Sequence, residues 1–147
     1  MRIVVQRVNK ASVNVDSNVI GKIGNGFVVL LGIKNTDTYK DADYLVRKLI
    51  NLRVFMDDKN KMNLSLLDVK GELLIISQFT LYGKCKKSGN RPSFLEAAKP
   101  DIAIPLYEYF INECKKAIPI VQTGTFGAYM KIDLINDGPV TIIIDSQ

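Results

Sequence analysis

Two polar segments carry the side chains that are best suited to chemistry. The first, Ser77-Gln78-Phe79-Thr80-Leu81, follows the apolar run Leu73–Ile76, and the second is Asn136-Asp137-Gly138-Pro139-Val140-Thr141. A polar cluster at the end of a buried strand is a common place for a ligand. The second segment is also typical of a turn, and Ser and Thr hydroxyls often bond only to the neighbouring backbone. Residue types alone therefore leave both a structural and a functional role open.

The chain of 147 residues contains no histidine. This excludes the Ser-His-Asp triad, the Cys-His dyad and every histidine-ligated zinc site. Cys85 and Cys114 have neither the spacing of a zinc pair nor that of a redox pair. We expect Cys114 to be a buried, inert thiol, whereas the lysines around Cys85 favour its thiolate and leave a reactive role open. We therefore expect no metal and no cofactor.

The positive charge is concentrated close to the first polar segment. The net charge is +5, and the four cations Lys84, Lys86, Lys87 and Arg91 are not interrupted by an acidic residue. Such a loop is either merely solvated or in contact with phosphates. Its position directly after Thr80-Leu81 favours contact with a nucleic acid.

The length and composition predict one domain, residues 1–147, with 47% apolar and 24% charged residues. No apolar run is long enough for a membrane span, and the first seven residues are typical of a strand rather than a signal peptide. We expect a cytoplasmic protein without a membrane partner.

The hydrophobic pattern predicts more strands than helices. Strands are expected at 3–8, 11–15, 19–23, 27–33, 53–56, 72–79, 118–121, 130–135 and 140–145, the first four as an antiparallel meander. One helix should run from a cap at Asp37 or Thr38 to about Leu52. A second should run from about Asp101 to about Ala117, with Pro105 in its first turn. These elements predict an α/β fold of antiparallel or mixed sheets packed in a barrel-like sandwich, with two helices on one outer face.

Taken together, the two polar segments resemble the paired signature motifs of the D-aminoacyl-tRNA deacylases. The resemblance extends along the whole chain, and its other parts are Gln6-Arg7-Val8, Ala11-Ser12-Val13, Gly32, Lys61-Met62-Asn63-Leu64, Arg91-Pro92-Ser93-Phe94, Gln122-Thr123-Gly124, Phe126 and Met130. It implies an enzyme that hydrolyses the ester of D-aminoacyl-tRNA, and also glycyl-tRNA mischarged on tRNA-Ala.

The resemblance further implies a homodimer in which a cis Gly138-Pro139 peptide reaches into the partner subunit's pocket. Its carbonyl oxygens would crowd the direction of an L side chain and leave the D direction free. Arg7 would hold this motif, although its position in the sequence pattern alone favours a cation on a strand surface. Phe126 and Met130 would contact the 3′-terminal adenosine, although their pattern alone is more typical of the core.

The expected chemistry needs no histidine. Backbone N–H groups around Phe79 and Thr80 would stabilise the oxyanion, and the adenosine 2′-hydroxyl would activate water. Ser77 and Thr80 would donate or accept hydrogen bonds, Gln78 would orient the pocket, and Thr80 as a nucleophile is the competing interpretation. Lys86, Lys87 and Arg91 would contact phosphates. The alternatives are a non-catalytic basic RNA- or DNA-binding module and a hydrolase of small D-amino-acid derivatives.

Overall fold

A mixed six-stranded sheet organises the fold. The computed structural model describes residues 1–85 and 89–146. The strands are β1 (Arg2–Val15), β2 (Asn18–Ile23), β3 (Gly26–Gly32), β4 (Phe55–Met56), β5 (Met62–Leu64), β6 (Glu72–Ser77), β7 (Val121–Thr123) and β8 (Lys131–Asp145). Strands β4 and β5 form a separate hairpin, and the others form the main sheet. The short strand β5 was not predicted.

The strand order of the main sheet differs from the predicted meander. One edge of β1 pairs antiparallel with β2 through residues 11–15 and with β3 through residues 2–8, while β8 pairs along the other edge. Strands β3, β6 and β7 are parallel neighbours. The meander is wrong because β2 covers only half of β1, and β3 returns to satisfy the backbone groups of the other half.

Two predicted pairs of strands are single long strands in the structure. Strand β1 runs through the predicted break between Val8 and Ala11, with irregular register on either side of Val8. Strand β8 runs through residues 136–139, which were predicted to be a turn between two strands. Because Val8 pairs with Asn136 and Gln6 pairs with Thr141, the residues between them form an excursion within β8 and not a hairpin turn.

The two helices pack against each other on one face of the sheet, as predicted. Helix α1 (Tyr39–Ile50) begins after Thr38, which forms a capping box with Asp41. Helix α2 (Pro100–Lys115) buries Ala103, Tyr107, Phe110 and Cys114, whose spacings of four and three predict an apolar stripe. Ala117, which the same pattern includes, is exposed beyond the end of the helix. Because α2 begins at Pro100, Pro105 lies in its second turn, not in its first.

Two apolar clusters explain the barrel-like shape. The larger lies between the sheet and the helices and includes Phe27 and Phe110, both fully buried. The smaller lies on the other face of the sheet and includes Val13 and Leu74. Strand β2 curls over this second cluster until a Cβ on Gly21 would lie 3.1 Å from the Thr123 carbonyl oxygen of β7. The sheet is therefore nearly closed, as the predicted barrel-like sandwich requires.

Two further features can be compared with the expectations. Cys114 is buried in α2, as predicted, and burial raises the pKa of its thiol to about 12, which disfavours the reactive thiolate. Cys85 is exposed. Among the described residues, none of the helices has the length and apolar character that crossing a membrane requires.

Candidate active site

A cavity of about 260 Å³ lies at the carboxyl end of β6. Ser77, Gln78 and Phe79 form one part of its lining, and residues 126–130, between β7 and β8, form another. The remaining lining is apolar and consists of Leu31, Ile33, Ile76, Ala98, Ala103 and Ile132. The structure thus brings most of the first polar segment together with Phe126 and Met130, far away in the sequence.

The first polar segment is positioned by backbone hydrogen bonds. The parallel ladder between β3 and β6 ends where Leu31 pairs with Ser77, and the Gln78 amide then donates to the Leu31 carbonyl at 2.8 Å. The chain next forms the 3-10 turn Phe79–Tyr82. Thr80 is exposed and does not line the cavity, and its hydroxyl accepts a hydrogen bond from Gln78 Nε2 at 2.5 Å.

The first two amides of this turn are available to a ligand. The first N–H groups of a helical turn have no acceptor within the turn, and Gln78 makes no side-chain cap bond. Within the described residues, the amides of Phe79 and Thr80 therefore lack a backbone or capping acceptor. Two adjacent free N–H groups are suited to bind an oxyanion.

The far end of the turn contacts the side chain of Arg2. Its guanidinium makes two hydrogen bonds to the Asp145 carboxylate, at 2.7 and 3.0 Å, and donates to the Leu81 carbonyl at 3.3 Å. It also lies 5.7 Å from the centre of the Tyr82 ring. The Arg2 hydrogen bonds lower the pKa of Asp145, and burial raises the pKa of Tyr82.

The aromatic part of the cavity is attached to the core. The Phe126 ring lies 5.7 Å from the ring of Tyr107, whose hydroxyl donates to the Ile75 carbonyl at 3.0 Å. Met130 is half-buried against the smaller apolar cluster. Both side chains therefore combine a packing role with exposure to the cavity.

One end of the basic loop, residues 84–91, lies next to Phe79 of the cavity lining. Lys84 and Ser93 exchange two backbone hydrogen bonds of 2.9 Å, which close the base of the loop. Next to this base, the ring of Phe94 packs edge-on against Phe79 at 5.2 Å. Lys84 pairs with Glu96, and Arg91 is exposed. The predictions for Lys86 and Lys87 lie outside the described residues.

The second polar segment is exposed and is organised by side chains. The Gly138-Pro139 peptide bond is cis, and both residues are exposed. The Asn136 side chain accepts a hydrogen bond from the Val140 amide at 2.9 Å and donates to the Thr141 hydroxyl at 3.0 Å. The Asn136 side chain thus links the beginning of the excursion to its end at residues 140 and 141.

Arg7 is buried behind this segment, with only 5% of its surface exposed. Its Nε donates to the Asp137 carbonyl at 3.0 Å and lies 3.4 Å from the Asp137 carboxylate. Its Nη1 donates to the Val54 carbonyl. The guanidinium therefore ties the excursion of β8 to the segment before β4, and the surface location that the pattern alone favoured is wrong.

Within one chain, Gly138 and Pro139 do not line the cavity that contains Ser77. Sequence reasoning named Asn136 only as part of the second polar segment, without a role of its own. It did not select Tyr129, for which the position beside Met130 was the available signal.

Metal-ligating side chains are dispersed. Across residues 1–85 and 89–146, no three or more Cys, Asp or Glu side chains are grouped in a way that could hold a metal ion.

Sequence comparison identifies relatives over the full length. The family model described as D-Tyr-tRNA(Tyr) deacylase matches residues 4–145. A D-aminoacyl-tRNA deacylase of Thermosipho melanesiensis is 58% identical over 148 residues, which cover 100% of this chain and 98% of that protein. One of Clostridium acetobutylicum is 54% identical, with the same coverage.

Structural comparison agrees with these relatives. A solved structure named c-Myc DNA Unwinding Element Binding Protein has a TM-score of 0.93 and 43% identity, and covers 100% of this chain and 99% of that chain. A probable eukaryotic D-amino acid tRNA deacylase has a TM-score of 0.86, with 98% of each chain covered. At 19% identity, the second likeness concerns the fold alone.

Proposed function

The chain belongs to the D-aminoacyl-tRNA deacylase family and is a hydrolase; from this premise we propose that its cavity binds the 3′-terminal aminoacyl-adenosine of a D-aminoacyl-tRNA. The observation that carries the proposal is a cavity lined by Phe79, Phe126 and Met130, next to the free backbone amides of Phe79 and of Thr80, which follows it just outside the lining. Its volume of about 260 Å³ lies slightly below the roughly 300–1,000 Å³ of typical ligand pockets. This size supports binding of one end of a large substrate.

The proposed reaction is the addition of water to the ester carbonyl carbon. The amides of Phe79 and Thr80 stabilise the oxyanion, and one such donor contributes about 3–4 kcal/mol. The bond from the carbonyl carbon to the ribose oxygen then breaks, and that oxygen takes up a proton. The products are the free D-amino acid and tRNA. The neighbouring 2′-hydroxyl activates the water, while Ser77, Gln78 and Thr80 orient the ester through hydrogen bonds.

The proposed basis of chiral selection is the exposed segment around Gly138 and Pro139 of a second copy. Because these residues do not line the cavity of their own chain, we propose that they act on the cavity of a partner copy in a homodimer. The exposed side chains of Ile135 and Ile143 on β8 support such an interface. Carbonyl oxygens beside the substrate α-carbon would clash with an L side chain, and glycyl-tRNA would also be accepted.

The exposed Arg91, together with Lys86 and Lys87, is proposed to contact tRNA phosphates. A tRNA substrate also implies action in the cytoplasm. Changing Arg91 to Ala should lower the slope of log affinity against log salt concentration by roughly 0.7–0.9. Arg47, an exposed arginine on α1, is the matched control. An unchanged slope for Arg91→Ala would mean that Arg91 contacts no phosphate and that the loop is only solvated.

The second candidate function is non-catalytic binding of nucleic acid. The name of the relative that is 43% identical favours it, since that name concerns DNA binding. The two adjacent free amides, of Phe79 in the cavity lining and of Thr80 beside it, favour hydrolysis, because binding of a phosphate backbone alone does not require them. Hydrolysis of D-aminoacyl-tRNA over several turnovers would distinguish the enzyme from a protein that only binds nucleic acid.

The test compares deacylation rates of D-Tyr-tRNA and L-Tyr-tRNA. The proposal predicts multiple turnovers of the D substrate and no acceleration of the L substrate above spontaneous hydrolysis. Binding of both tRNAs without turnover would establish the second candidate. Equal acceleration of both would retain the hydrolase and reject the chiral selection.

A further inference from the structure

Tyr129 is a large aromatic side chain in an unusual position. It is 85% exposed, yet it is part of the cavity lining. Within the described residues, its ring is not paired with another aromatic ring, whereas Phe79 pairs with Phe94 and Phe126 pairs with Tyr107. A tyrosine ring carries a large apolar area, so this degree of exposure leaves a flat apolar surface in water at the rim of the site.

The backbone that carries Tyr129 is fixed from both sides. The Ala128 amide donates to the Thr125 carbonyl at 3.2 Å, and Gly127 has φ +74°, which makes the turn tight. On one side Phe126 packs against the core, and on the other Met130 packs against the smaller apolar cluster. The ring is therefore held on a pre-organised segment, which lowers the entropic cost of binding a flat partner.

Exposure alone does not distinguish Tyr129, since Leu95 is 87% exposed. Leu95, however, is aliphatic and does not line the cavity. Tyr129 combines a planar π-face with a position between the cavity and solvent, and the exposed Lys131 follows two residues later. This combination of aromatic rings beside cations is the usual means of binding single-stranded nucleic acid without reading its sequence.

We propose that Tyr129 forms a second nucleotide subsite, on which the base preceding the terminal adenosine stacks. The inference rests on the proposed function, because it places the aminoacyl-adenosine in the cavity. The chain of the substrate must then leave the cavity past its rim, and the 3′ end of a tRNA is single-stranded there. A π-face accepts any base, so the subsite supplies affinity without selecting a particular tRNA.

The experiment extends the substrate by one nucleotide at a time. Wild type and Tyr129→Ala are compared on D-tyrosyl-adenosine, on D-tyrosyl cytidylyl-adenosine and on D-Tyr-tRNA. The ratio of KM in the variant to KM in wild type should rise about 5- to 150-fold when the second nucleotide is added, since stacking of one base on an aromatic ring contributes about 1–3 kcal/mol. It should rise little further with the complete tRNA.

Two substitutions separate stacking from general burial. Tyr129→Trp should keep a KM near that of wild type for the dinucleotide ester, whereas Tyr129→Leu should behave as Tyr129→Ala does. Tyr39→Ala is the matched control, because Tyr39 is also an exposed tyrosine but lies at the start of α1. Its KM ratio should be the same for all three substrates.

The outcomes distinguish the inference from its premise. If wild type hydrolyses none of the three D-tyrosyl esters, the proposed function itself is wrong. If wild type hydrolyses them and Tyr129→Ala has the same KM ratio for all three, only the subsite is rejected. A change of oligomeric state in Tyr129→Ala, measured by light scattering, would also reject it, because the ring would then belong to a subunit interface.

Discussion

The two polar segments reach the surface with opposite kinds of support. Residues 77–82 continue a buried parallel strand, and backbone hydrogen bonds such as Gln78 to Leu31 set their course. Residues 136–141 leave the sheet in the middle of β8, and side chains of Arg7 and Asn136 hold them. Most substitutions leave backbone hydrogen bonds in place, whereas a single substitution of Arg7 or Asn136 removes the hydrogen bonds that its side chain makes. The proposed catalysis therefore depends on the segment whose position is less sensitive to substitution, and the proposed chiral selection depends on the more sensitive one.

The largest effect is expected when Arg7, the main support of the second segment, is removed. Arg7→Ala leaves the carbonyls of Val54 and Asp137 without their donor, and each lost hydrogen bond to a charged group costs about 1.5–3 kcal/mol. The excursion of β8 should shift, and a displacement of about 1 Å can reduce kcat/KM by roughly 100-fold. Both D-Tyr-tRNA kinetics and the free energy of unfolding in urea should report the change.

Two variants keep this prediction interpretable. Arg7→Lys retains the charge but has no fork to reach two carbonyls, so its kcat/KM should be intermediate. Arg47→Ala, at an exposed arginine of α1, should match wild type. If folded Arg7→Ala retains full activity and full D over L discrimination, the contrast between the two segments is broken.

The next effect is expected at Gly138 itself. A Cβ there would lie 2.9 Å from Val140 Cγ2 and 3.1 Å from Arg7 Nη2, and φ is +133°. Strain of this kind costs on the order of 1–3 kcal/mol, which corresponds to about 5- to 150-fold in kcat/KM. Gly89→Ala is the matched control, because Gly89 also has positive φ but a Cβ there would meet none of the described residues within 4 Å. Equal losses of kcat/KM in Gly138→Ala and Gly89→Ala would mean that the positive φ causes the loss, and not the close contacts of the added Cβ at residue 138.

Mixed dimers sharpen this prediction. One variant carries Gly138→Ala, and the other carries Ala128→Trp, which should fill the cavity. If the second segment acts on the partner subunit's cavity, a mixed dimer contains one intact site. Mixing the two impaired proteins under conditions of subunit exchange should then raise the rate of D-Tyr-tRNA hydrolysis above that of either protein alone. No restoration in a demonstrated mixed dimer would place the segment's action elsewhere.

A smaller effect is expected in the segment that the backbone supports. Thr80→Ala removes the hydroxyl that accepts from Gln78 but leaves both proposed oxyanion amides. One hydrogen bond contributes about 0.5–1.5 kcal/mol, so kcat/KM should fall no more than about 10-fold. Thr80→Ser should recover most of it. A trapped acyl-enzyme on Thr80, detected by mass spectrometry, would establish the nucleophile instead.

Sequence patterns predicted the parts of the fold that depend on local contacts. The cap expected at Asp37 or Thr38 and the apolar residues at helical spacing from Ala42 to Ile50 predicted α1, and the apolar run in residues 27–33 predicted β3. The strand order was not predictable in the same way. It depends on which half of β1 remains unpaired after β2, and no short-range pattern encodes that.

The site shows the same division. Asn136-Asp137-Gly138-Pro139 has the composition of a turn, yet pairing with β1 on both sides makes it an excursion within one strand. Arg7 has the pattern of a surface cation, and its burial depends on the carbonyl of Val54, which is remote in sequence. The meeting of Ser77 with Phe126 and Met130 follows from the parallel β6–β7 pair, and only the family resemblance suggested it in advance.

The smallest effect is expected at the Arg2–Asp145 pair, which touches the backbone-supported segment at Leu81 and Tyr82. The two side chains are 37% and 52% exposed, and exposed pairs contribute about 0–1 kcal/mol. Asp145→Asn should therefore leave kcat/KM within about threefold of wild type and lower the free energy of unfolding by less than about 1 kcal/mol.

The stabilisation by the Arg2–Asp145 pair should depend on pH. Arg2 lowers the folded-state pKa of Asp145 below its unfolded value of about 3.9. The pair's contribution to stability is thus fully present above about pH 4 and is lost as pH falls through the lower, folded-state pKa. The difference in unfolding free energy between wild type and Asp145→Asn should shrink over that range in urea titrations. A tenfold loss of kcat/KM with unchanged stability would instead mean that a side chain also positions residues 77–82, and the two segments would no longer differ in kind.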